Sequence, residues 1–125
     1  MVTDQLPGPE HATPLQVHSE DHGTALVVSL VGELDMSTAD HAATALRTAT
    51  AGAAAVVVDL TGLTFFASAG LNILLQLRKE LRDAGVDVRL AANQRAVLRP
   101  LELMGVAGQF PIDASAADAL GSLRS

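Results

Sequence analysis

Cysteine is absent, as are tryptophan and tyrosine, and phenylalanine occurs three times in 125 residues. Without cysteine there is no disulfide framework, no thiolate metal site and no cysteine nucleophile. With aromatics at 2%, leucine, valine and alanine must fill any interior. Cationic side chains are scarce: eight Lys plus Arg face fourteen Asp plus Glu, and Lys79 is the sole lysine. A net charge of −6 and a pI near 4.9 give no basic patch to neutralise phosphates, so nucleic acid and anionic membranes are not expected partners. No apolar run approaches the ~20 residues that span a bilayer. The N-terminus has no basic patch followed by an apolar stretch, so no signal peptide is expected and a cytoplasmic location is.

A hydrophobic fraction of 49% is enough for one packed domain of this length. Residues 1–14 carry Pro7, Gly8, Pro9 and Pro14 without periodicity and read as a flexible tail, leaving 15–125 as the domain. Leu15 to Glu20 alternates as an edge strand, Asp21-His22-Gly23 is a turn, and Ala25 to Val31 is a stronger strand, so the two predict an antiparallel hairpin. The chain leaves that strand through Gly32-Glu33-Leu34-Asp35-Met36. Ser37 and Asp40 resemble a capping box for a helix over Thr38–Thr50. Ala54–Leu60 is the next strand, parallel to Ala25–Val31 by the right-handed crossover rule. A turn-prone Thr61-Gly62 follows, and then a short apolar segment from Leu63 to Phe66.

Ser68-Ala69-Gly70 hands over to a helix from Ala69 to Ala84, with Ser68 as its expected N-cap. At about 100° per residue, Ile73, Leu74, Leu77, Leu81 and Ala84 share one side, and Asn72, Gln76, Lys79 and Asp83 lie opposite. A third stripe, Leu71, Leu75, Arg78 and Arg82, mixes apolar and cationic groups. Val86–Ala91 is a further parallel strand. Gln94–Met104 has helical spacing interrupted by Pro100, which predicts either a start near Leu98 or a kink. Ser115–Leu123 is a terminal helix, with Ser115 and Asp118 as a capping pair.

Candidate chemistry is sparse. His11, His18, His22 and His41 have no metal-ligand spacing, no phosphate-cradling glycine loop exists, and the acids show no catalytic pairing. Ser68 lacks the glycine two residues before it that a nucleophile elbow uses. No catalytic residue, metal or cofactor is assigned, and the chain is read as a binding protein rather than an enzyme. Chemistry alone favours a plain helix cap for Ser68, and it also allows Glu33 and Asp35 as a solvated loop and the Leu71/Leu75/Arg78/Arg82 stripe as the edge of the core.

Four landmarks in order point further: Gly32-Glu33-Leu34-Asp35, Val58-Asp59-Leu60 through Phe65, Ser68-Ala69-Gly70-Leu71, and Leu101-Glu102-Leu103-Met104-Gly105. Together, over Leu15 to about Leu123, they resemble the STAS family, and within it the bacterial anti-sigma factor antagonists. The resemblance implies an α/β fold with a mixed four- or five-stranded sheet and helices mainly on one side. It also implies an unmodified form that binds an anti-sigma factor, a serine kinase of the ATP-binding type, and so releases a sigma factor. Phosphorylation at Ser68 would switch binding off and a phosphatase would reset it. The family usually has Asp before this serine, where this chain has Ala67. The partner surface so implied comprises Glu33, Asp35, Ser37, Ala67, Ser68, Gly70, Leu71, Leu75 and Arg78. A STAS-type scaffold or ligand-sensing module that is never phosphorylated is the alternative, and a small hydrolase is more remote.

Overall fold

A computed structural model describes residues 15–105, 108 and 110–124, so the expected flexible tail lies outside the described residues. β1 (Leu15–Asp21) and β2 (Leu26–Leu34) form the expected antiparallel hairpin, Leu15 pairing with Gly32 and Asp21 with Leu26. The Asp21 carboxylate accepts the Gly23 N–H at 2.8 Å and shapes the turn. α1 (Ala39–Thr50) then crosses over to β3 (Ala55–Phe66), which lies parallel to β2. α2 (Ser68–Asp83), β4 (Asp87–Ala91), α3 (Arg95–Leu103), β5 (Ile112–Asp113) and α4 (Ala116–Arg124) complete a five-stranded sheet of order β1-β2-β3-β4-β5.

Strand alternation divides the apolar residues between two layers. Val28, Leu30, Leu34, Val56, Val58 and Leu60 face Leu46 of α1, Leu71, Leu74 and Leu77 of α2, and Val97 and Leu101 of α3. On the other face Val27, Val57 and Ala91 meet Ala119 of α4. Three helices therefore cover one side and the nine-residue α4 covers part of the other.

Several local expectations need correction. Thr61-Gly62 is not a turn: β3 runs through it, and the β2–β3 register gains one extra β3 residue between Ser29 and Val31 and another between Gly32 and Glu33. Asp59 accepts hydrogen bonds from the Thr61 N–H (3.0 Å) and hydroxyl (2.6 Å), a local loop that competes with the ladder. The Gln94 side-chain amide donates to the carbonyls of Leu60 (2.7 Å) and Leu63 (2.9 Å), so these carbonyls stay satisfied at the bulge. β2 continues to Leu34 instead of ending at Val31, and Gly32 takes φ +118° beside the second register shift, a conformation glycine adopts without strain. α3 begins at Arg95 and carries Pro100 inside it, one backbone donor short. Ala84 is exposed beyond the end of α2 and is not part of its buried face.

Asp113 ties β5, β4 and α4 together. It accepts from Arg89 Nε at 2.7 Å and from the Ser122 hydroxyl at 3.1 Å, both partly buried. The Arg89 hydrogen bond holds its carboxyl below the usual range, against the opposing effect of burial. A carboxylate whose folded pKa is depressed adds stability above its unfolded value near 4 and loses it as pH falls through the lower folded value. Asp113→Asn should cost about 1 kcal/mol at pH 7, allowing for solvent screening, and should flatten stability between about pH 5 and 3. Urea titrations across that window test this; identical acid slopes in the two proteins would rule the bridge out.

Candidate functional site

Ser68 is the first residue of α2 and is exposed, one position later than the expected cap. The N-cap is Ala67, with extended backbone at φ −109°, ψ 170° and no side-chain hydrogen bond to the helix. The family's usual Asp would stand at the position where a carboxylate caps a helix well. Ala67 instead contributes only backbone: its N–H donates to the Leu34 carbonyl at 2.9 Å, and its carbonyl accepts from Gly70 (2.9 Å) and Leu71 (3.2 Å). The Ser68 and Ala69 N–H groups precede the helix's own bonding pattern and add to its positive end.

That Ala67–Leu34 bond joins the start of α2 to the end of β2. The strand register does the same, pairing Glu33 with Phe65 and Leu34 with Phe66. The contact is close because Gly70 has no side chain. A Cβ there would fall 2.5 Å from Leu34 Cγ and 3.3 Å from Phe66 Cε1. Gly70 is thus a packing residue beneath the site.

Asp35 organises the following turn in place of the expected Ser37–Asp40 capping box. One carboxylate oxygen accepts from the Ser37 hydroxyl (2.7 Å), the Ser37 N–H (2.9 Å) and the Thr38 N–H (3.2 Å). Thr38, buried, donates its hydroxyl to the Glu33 carbonyl at 2.9 Å, receives the Asp35 N–H at 3.0 Å, and occupies the N-cap of α1. The Ser37 hydroxyl is the largest influence on Asp35 and keeps its carboxyl ionised below the usual range; burial acts the other way.

The fold therefore brings Glu33, Asp35, Ser37, Ala67 and Ser68 to one end of β2 and β3. The α2 stripe divides. Leu71 is wholly buried in the core, so it is withdrawn from the expected contact surface, and Gly70 is buried with it. Leu75 is half-buried against the same core, and Arg78 lies with its guanidinium carbon 5.3 Å from the Phe110 ring centroid. Met36, on the turn that follows β2, and Phe65, three residues before Ser68, were not anticipated as contacts and are large apolar side chains left exposed, at 85% and 50%. Phe65 was legible by alternation, since its neighbour Phe66 is the one that enters the core.

Ser68 lines none of three surface depressions, though one takes in Arg78 and Arg82. One depression, near 350 Å³, is walled by Asp21, Gly23, Thr24 and residues 51–54, at the opposite ends of the parallel strands. No group of three or more metal-ligating side chains occurs among the described residues, and none of their helices is long and apolar enough to cross a membrane. The site presents an exposed serine at a helix start.

Comparison with known proteins agrees. The STAS domain model matches residues 16–119. The anti-sigma-F factor antagonist RsfA of Mycobacterium tuberculosis is 29% identical over 111 residues, covering 86% of this chain and 87% of RsfA. A crystal structure of an anti-sigma factor antagonist from Mycobacterium paratuberculosis superposes with a TM-score of 0.84 at 32% identity, over 96% of this chain and 100% of that one. The phosphorylated form of the Bacillus cell fate determinant SpoIIAA shares the fold, with a TM-score of 0.67 at 20% identity over 86% of this chain and 99% of that one. By its family model, its relatives and its fold, this chain belongs to the STAS domain family, alongside the anti-sigma factor antagonists.

Proposed function

We propose that this protein is a cytoplasmic anti-sigma factor antagonist whose unmodified form binds an anti-sigma factor kinase and frees a sigma factor. Phosphorylation of Ser68 ends that binding, and a phosphatase restores it. The observation that carries the reading is the exposed Ser68 hydroxyl at the first position of α2, bracketed by the Glu33–Ser37 turn. In the transfer step the Ser68 oxygen attacks the γ-phosphorus of ATP, the bond to ADP breaks, and the hydroxyl proton passes to a base on the kinase. The protein itself supplies position and access, not catalysis. Relatives named as antagonists support the partner class, and the phosphorylated form of SpoIIAA supports the switch.

The test begins with affinity capture on the immobilised protein, identification of the captured anti-sigma factor, and its purification. Incubation with ATP should then add one phosphate to the wild type, seen by intact mass, and none to Ser68→Ala. A bound partner that leaves both masses unchanged would favour a STAS scaffold that is never phosphorylated. Ala67, which offers no carboxylate beside the acceptor, is the feature that keeps that second reading in play.

A further inference from the structure

The sheet face opposite the three-helix layer is only partly covered. α4 packs on Val27 and Val57, near the N-terminal ends of β2 and β3, and on Ala91 at the end of the shorter β4. Further along the same face its cover ends, and Val31 is 42% exposed and Phe65 50%. Leu30, Leu34 and Phe66 enter the three-helix core, so their alternating neighbours Val31, Glu33 and Phe65 project from the other side. Val31 pairs with Gly62 and Glu33 with Phe65, which sets the two exposed apolar side chains on adjacent strands two register steps apart. Gly62 presents no side chain to separate them: a Cβ there would fall 2.9 Å from Val31 Cγ2. Met36, 85% exposed, stands on the turn that Asp35 holds.

Three of the five large apolar side chains exposed among the described residues thus gather at one end of β2 and β3. Exposed apolar groups that cluster, unlike scattered ones, mark interaction surfaces. The α2 flank has less to give. Leu71 is in the core, Leu75 is packed against it, and Arg78 is engaged with Phe110.

We infer that the anti-sigma factor seats an apolar segment on Val31, Met36 and Phe65, reaching from the Ser68 turn onto the uncovered sheet face rather than along α2. This rests on the proposed function and locates its interface. The patch is continuous with the site: Phe65 precedes Ser68 by three residues, and the Ala67–Leu34 hydrogen bond holds the Met36 turn against the start of α2. One partner surface can therefore cover the hydroxyl and the apolar groups together. A phosphate on Ser68 would then stand at the rim of an apolar contact, where its desolvation opposes docking.

The test uses the full chain and the purified anti-sigma factor from the capture experiment, in titrations by isothermal calorimetry. Phe65→Ser and Met36→Ser should each weaken binding by about tenfold or more, as buried apolar anchors do. Leu103→Ser, an equally apolar change at a 71% exposed position on α3, should bind as wild type. Met36 is too exposed for its substitution to disturb folding, so a folding defect in Phe65→Ser leaves the question decidable. Wild-type binding that Phe65→Ser and Met36→Ser leave unchanged overturns this surface while the proposed function stands. No binding by the wild type overturns both. Sedimentation and amide exchange of the isolated chain address two other occupants. A dimer that Phe65→Ser dissociates would assign the patch to a second copy. Amide exchange at Val31 and Phe65 that speeds up on deleting residues 1–14 would assign it to the chain's own N-terminal segment; either result overturns the inference.

Discussion

Leu71→Ala should lower the stability of this protein by about 3 kcal/mol, the usual cost of emptying a fully enclosed leucine site. Its side chain has no solvent exposure and packs within the layer that includes Leu34, Leu60 and Leu74. It also belongs to the first turn of α2, directly after Gly70, whose missing side chain lets the helix approach Leu34. The void therefore opens beneath the Ser68 turn, in a region whose close contact leaves little slack for collapse. Against a total of roughly 5–15 kcal/mol for a domain this size, the loss is large. Leu75→Ala, half-buried one turn further on, should cost only about 1 kcal/mol. Urea denaturation followed by circular dichroism at 222 nm measures both, and the lack of tryptophan makes dichroism the natural probe. A Leu71→Ala protein as stable as wild type but defective in binding would return Leu71 to the contact surface.

Ser68→Glu is expected to act in the opposite way, on affinity and not on stability. A negative charge at the first position of a helix faces unbonded N–H groups and the positive end of the helix dipole, an interaction worth about 0.3–1 kcal/mol in favour of the fold. Ala67 provides no competing cap, so nothing at the neighbouring position offsets that gain. On the proposed function, the same charge meets a partner surface adapted to a neutral hydroxyl. Binding the anti-sigma factor should weaken at least tenfold, about 1.4 kcal/mol, with Ser68→Ala close to wild type. Thermal melts run beside the titrations separate the two effects. If Ser68→Glu binds as tightly as wild type, an electrostatic switch at this position is excluded; if it also melts much earlier, the charge is acting on the fold instead.

These two residues lie three apart and differ in kind, and the difference came from packing. Hydrophobic periodicity placed Leu71 on a mixed stripe with Leu75, Arg78 and Arg82, because an idealised helical wheel knows nothing of what stands opposite each face. Gly70 brings the first turn so close to Leu34 and Phe66 that the residue beside it is enclosed, while Leu75 and Arg78, further from that contact, stay partly open. Phe65 was accessible to reasoning by alternation, but its exposure depended on α4 being too short to reach the end of the sheet.

Local chemistry was legible in residue order: the Asp21–Gly23 turn, the parallel crossovers around β3, the helix that opens at Ser68 and the family landmarks around it. Each depends on interactions within a few residues or on a chirality rule that any such chain obeys. The bulges at Thr61-Gly62 and beside Gly32 were not, although Asp59, Thr61 and Gly32 announced some irregularity. Whether a turn-prone pair breaks a strand or only bends it depends on a distant donor. Here the Gln94 amide, more than thirty residues on, bonds the carbonyls that a continuous β3 leaves open at Leu60 and Leu63. In the same way Ser37 was read as a cap, yet Asp35 took its hydroxyl and the buried Thr38 took the helix start, since Thr38 alone reaches back to the Glu33 carbonyl. The sequence by itself determined the order of elements and the serine that opens α2. Only the tertiary structure decided which neighbours of that serine stay exposed and which are sealed in the core, because burial is a property of the facing surface as much as of the residue.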